Sequence, residues 1–199
     1  MEVMTSLLQK QIKEIMQTML WVQPEVADMI KLYWSGDVSS DLGPLLGTAP
    51  ATKTSKHTKD ELISGLTLSE QMDKFFTNQA VTQGDYHGNI QNLVYGDDEI
   101  TTPLSVATEA FGDRVKALSE ALLVTFNRCK DILDLYNDSE ISSAASSLSD
   151  GTIVFGASMS KAELILGITL CDQFKKFINN EAVTTGDYGS TVAKWRRLS

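Results

Sequence analysis

The chain has 199 residues, 42% hydrophobic and 22% charged, a composition with enough apolar material to bury a core. Its formal net charge of −9 argues against a surface that neutralises phosphates, so direct nucleic-acid binding is excluded. No apolar run nears the roughly 18 residues a membrane span needs, and the first residues, Met1-Glu2-Val3-Met4, lack the pattern of a signal peptide.

Leu7, Leu8, Ile12, Ile15, Met16, Met19 and Leu20 recur at spacings of three and four, which predicts a first amphipathic helix. Pro24 suits the first turn of a helix, so a second one is expected there, with Val26, Met29, Ile30, Tyr33 and Trp34 on one side. Residues 35–57 hold Gly36, Gly43, Pro44, Gly47 and Pro50 and read as a loop. Within it, Pro44, Leu45 and Leu46 are candidate partner contacts, because so few apolar groups among small polar residues cannot order the loop by themselves.

Residues 59–86 read KDELISGLTLSEQMDKFFTNQAVTQGDY. Leu62, Ile63, Leu66, Met72, Phe75 and Phe76 make one broad helical face, and Asn78 ends the helix. Gly65 inside it, like Gly167 in the matching stretch below, costs about 1 kcal/mol relative to Ala, and its presence in both copies points to close backbone packing there. Thr82-Gln83-Gly84-Asp85 reads as a capping box, Thr82 the N-cap and Asp85 reaching back to it, before a short helix that buries Tyr86, Ile90, Leu93 and Val94. Asp97-Asp98-Glu99 lacks the ligand spacing of a calcium loop and reads as a solvated linker.

Phe111, Val115, Leu118, Leu122, Leu123, Phe126, Ile132 and Leu135 predict one long uninterrupted helix. A Ser-rich loop follows, broken by Ile153-Val154-Phe155, which fits either a short strand or a plug on a neighbour; these three are further candidate contacts. Residues 161–188 then read KAELILGITLCDQFKKFINNEAVTTGDY, which matches residues 59–86 at 17 of 28 positions without a gap. Gly167, Asn180, Thr184 and Asp187 repeat Gly65, Asn78, Thr82 and Asp85 at a constant offset of 102. Such self-similarity reads as an internal duplication. Two helical units are expected, 1–97 and 98–199, packed as one all-α, pseudo-two-fold bundle with long loops between the helices.

The chain shows none of the spacings that chemistry requires: no Gly-rich phosphate loop, no His-Glu-x-x-His, no Cys-x-x-Cys and no nucleophile elbow. His57 lies in the polar loop, and His87 has no counterpart in the second unit. Cys129 and Cys171 sit in apolar helical patterns and read as small core residues of a reducing compartment. The expectation is a protein without catalytic residues, cofactor or metal.

The segments Ala80-Val81-Thr82 to Gly84-Asp85-Tyr86 and Ala182-Val183-Thr184 to Gly186-Asp187-Tyr188, the latter followed by Lys194-Trp195-Arg196-Arg197, resemble segments of virion structural proteins of tailed bacteriophages. The resemblance covers about 30 residues in each copy and brings no catalytic residue with it. It implies a helical head, neck or tail subunit, made in the host cytoplasm and present in many copies, whose partners are itself and other virion subunits. The competing class is a cytoplasmic adaptor that binds one protein through the groove between repeats.

Overall fold

The computed structural model describes residues 2–35, 38, 59–95, 106–137, 153–154 and 159–194. Pro44, Leu45, Leu46, His57, the linker 97–99, Phe155 and residues 195–199 lie outside the described residues. Within them the chain is all-helical apart from one two-residue ladder. Its helices are α1 (Glu2–Trp34), α2 (Lys59–Phe76), α3 (Tyr86–Tyr95), α4 (Val106–Tyr136), α5 (Lys161–Ile178) and α6 (Tyr188–Lys194). The ladder pairs β1 (Ile153–Val154) antiparallel with β2 (Met159–Ser160), placing Ile153 opposite Ser160. Of the two forms open to the apolar interlude, Ile153 and Val154 take the strand.

The break expected at Pro24 does not occur: α1 runs through it as a single helix. The buried positions Met19, Val22, Val26 and Met29 keep helical phase on both sides of the proline, which itself faces solvent. Packing of this continuous stripe outweighs the missing N–H and the ring clash that proline brings to a helix interior. Leu7 and Trp34, assigned to apolar faces by spacing, are exposed. The long α4 forms as its spacing predicts.

α1 and α4 pack along each other, and two ion pairs between them show their relative direction. Arg114 grips Glu25 with two hydrogen bonds, Nε to Oε1 at 2.7 Å and Nη2 to Oε2 at 3.0 Å. Arg128 meets Glu14 at 3.5 Å, so a step up one helix is a step down the other and the pair is antiparallel. α2 lies on α1, and α5 lies on α4 in the same way.

The short helices cross over. α3 packs chiefly on α4, and α6 packs on α1 and α2. The aromatic core records the exchange: Tyr86 stacks on Phe177 at 4.6 Å and 9°, and Phe75 stacks on Tyr188 at 4.6 Å and 18°. Each of these matching rings thus packs on the other half of the chain. One apolar cluster draws residues from all six helices.

Gly65 serves the close approach its sequence suggested, between α2 and α4. A Cβ built there would run into the Val115 side chain, so glycine is what lets the two helices approach without a shift.

Candidate functional site

The repeated turn is built the same way twice. Asn78 and Asn180 hold φ of 60° and 61°, the left-handed conformation that closes a helix C-terminus. The Gln79 N–H then donates to Lys74 O at 3.1 Å and the Glu181 N–H to Lys176 O at 2.9 Å, the six-to-one bond of a Schellman motif. After the turn the chain runs without helix through residues 79–85 and 181–187.

Thr82 and Thr184 are not the N-caps. Their helices begin only at Tyr86 and Tyr188, three residues after the position a capping box needs, and both threonines are exposed. Asp85 and Asp187 sit directly before these helices and take the cap: Asp85 Oδ1 accepts the Gly88 N–H at 2.9 Å, and Asp187 Oδ1 accepts the Ser190 N–H at 3.0 Å. The threonines act through their backbones. Each N–H donates to a buried glutamine, Thr82 to Gln71 Oε1 and Thr184 to Gln173 Oε1, both at 2.7 Å. Each carbonyl accepts a tyrosine hydroxyl, from Tyr86 or Tyr188, at 2.6 Å. Gln71 and Gln173 escaped sequence reasoning; the signal was a glutamine kept in both copies on an otherwise apolar face.

The electrostatics follow from this wiring. The Ser190 hydroxyl and N–H hold the Asp187 carboxyl below its ordinary value. Burial raises Tyr86 and Tyr188 above theirs, so both phenols stay protonated and act as donors. Cys129 and Cys171 are buried side by side in the core, and burial, then the hydrogen bond the Cys129 thiol makes to Cys171, pushes the Cys129 thiol well up. A thiol held protonated in this way is a poor nucleophile.

Where the halves meet, they differ. A groove of about 430 Å³ lies between the α2 turn (Phe76, Thr77, Asn78), the start of α6 (Asp187, Gly189, Ser190) and Gln23 of α1. At the repeat-related place His87 stands where α6 has Gly189, and its ring lies 5.0 Å from the Phe126 ring of α4. There, too, Gln83 Nε2 donates to the Asn180 carbonyl at 3.1 Å. A second groove, about 300 Å³, is lined by Ile30, Glu70, Asp73, Lys74 and Gln79.

Among the described residues no three His, Cys, Asp or Glu side chains gather closely enough to hold a metal ion, and no helix is long and apolar enough to cross a membrane. No protein-family model, curated protein or solved structure matches the chain.

Proposed function

We infer that the protein is a non-enzymatic assembly protein, a multi-copy component of a phage virion that works through protein–protein contacts. One observation carries this reading most of the way. The two side chains that a repeated Gly-Asp-Tyr motif makes most suspect of chemistry, Asp85 and Asp187, are each committed to a backbone N–H at the start of a helix. The other polar groups of the motif, Gln71, Gln173, Tyr86 and Tyr188, are committed to the threonine backbone in the same manner. What the repeat makes is a rigid shape, and the resemblance of its turn to virion structural segments gives that shape a setting.

Mass measurement tests it. Light scattering on the purified chain, with electron microscopy and mass measurement of the complex it co-purifies with, should find several copies per particle at fixed stoichiometry. A chain that stays monomeric at high concentration and occurs once per complex would sink the virion reading.

The second reading, an adaptor holding one protein partner between its repeats, is favoured by the groove of about 430 Å³ on the α2–α6 side. Single-copy stoichiometry with a partner cross-linked at Asn78 or Ser190 would select it.

A further inference from the structure

We propose that the groove between the α2 turn and the start of α6 binds an arginine side chain from a partner protein, its guanidinium donating to the Asn78 carbonyl and the Asp187 carboxylate. The molecule contains its own precedent. At the α5 turn the Asn180 carbonyl receives an N–H from the Gln83 side chain, and His87 leans on Phe126 beside it. At the α2 turn two of these residues change. Gln83 becomes Thr185, too short to reach across, and His87 becomes Gly189, which packs against the Phe76 carbonyl and Gln23. No described residue donates to the Asn78 carbonyl, which stands exposed at the edge of the groove.

The Asn78 carbonyl can accept a donor, and its surroundings favour a positive one. The last turn of α2 presents the negative end of its dipole. Among the described residues that line the groove Asp187 is the one that is charged, and its second oxygen, Oδ2, lies outside the backbone cap bond that Oδ1 makes. Lys194 acts on this carboxylate through space from the exposed end of α6 but lines none of the groove. A guanidinium fits better than an ammonium, because its planar fork places N–H groups toward two acceptors at once. A chain of net charge −9 would also draw a basic segment toward it.

The proposal shares with the preceding section only the premise that the ligand is a protein segment; copy number bears on that section and not on this one. The test is a fluorescence-anisotropy titration of the full chain with a labelled, end-blocked Gly-Ser-Arg-Ser-Gly peptide, with 15N-resolved shifts followed at Asn78, Gly189 and Ser190. Binding is expected, with shifts at those three amides. Asp187→Asn keeps the cap, since Asn caps as well as Asp, and should weaken binding by about tenfold, the loss of one charge-assisted hydrogen bond. Thr185→Gln supplies the internal donor of the other half and should weaken binding comparably without removing any charge. Asp85→Asn, at the occupied half, should leave binding within about twofold, as expected of a surface charge away from the site. No binding by the unaltered chain overturns the proposal. So does an Asp85→Asn loss equal to that of Asp187→Asn, which would mean general attraction to an acidic surface. Binding of ethylguanidinium as tight as that of the peptide would reassign the groove to a free small cation and overturn the protein partner.

Discussion

Phe75 and Phe177 hold the same place in the two repeated stretches, and they touch each other, ring centroids 5.9 Å apart. The crossed stacks of Phe75 on Tyr188 and of Tyr86 on Phe177 flank this contact. The centre of the protein is therefore an interface between its own halves. Phe75→Ala or Phe177→Ala should each cost about 3–5 kcal/mol, the usual loss for a buried phenylalanine. The pair should be non-additive, because each truncation already removes the contact they share. Urea melts of the two single variants and the double variant would show it; strict additivity would mean that the rings do not meet.

The caps can be separated from the threonines beside them. Asp85→Ala should destabilise by about 1 kcal/mol and Asp187→Ala in the same direction, since each leaves a helix-start N–H without its acceptor. Thr82→Ala and Thr184→Ala should change stability by less than about 0.5 kcal/mol, because the bonds run through backbone atoms that alanine retains. Denaturant melts of the four variants distinguish the two assignments. A large loss at Thr82 would restore the capping box.

Pro24→Ala should stabilise the protein, by about 1–3 kcal/mol, because it returns an N–H to the interior of a continuous helix and removes a ring clash. Thermal melts measure this directly. Destabilisation would show that α1 uses the proline to hold a bend.

Gly65→Ala gains helix propensity but drives a methyl into Val115, a side chain whose branched Cβ leaves it little freedom in a helix. The net effect should be a loss of about 1–3 kcal/mol, as for other overpacked crossings. Val115→Ala in the same chain should recover part of that loss, so the double variant is more stable than the sum of the singles. Additive losses would place the strain elsewhere.

Asp187 also predicts a limb of acid unfolding. Its carboxyl sits below its ordinary value of 3.8, held there by hydrogen bonds from Ser190. A depressed carboxyl contributes stability that is complete above its unfolded value and is lost as pH falls through the lower folded one. Asp187→Asn has no such proton to take up, so between about pH 5 and pH 2 its stability should fall less steeply than that of the unaltered chain. Urea melts at a series of pH values give the slopes, and equal slopes would mean that Ser190 does not hold the carboxylate.

Much of this protein follows from the sequence alone, because much of it is periodic. The apolar stripes of α2, α4 and α5, their ends at Asn78 and Asn180, and the match between residues 59–86 and 161–188 all repeat within a few turns of chain, and local spacing reports them faithfully. Local reasoning failed where two local rules competed. At Pro24 a helix-start residue lost to the burial of Met19, Val22, Val26 and Met29, and at Thr82 a good cap lost to an aspartate three residues on, because the chain is first tied to Gln71 and Tyr86. What no spacing contains is which half a side chain serves. Phe75 meets Tyr188 and Gln83 meets Asn180 because the halves exchange their short helices, and Gly65 meets Val115 because α2 crosses α4. Burial rewards these contacts across 50 to 113 residues of chain, a separation at which only the folded structure can say that one turn is filled and its counterpart is open.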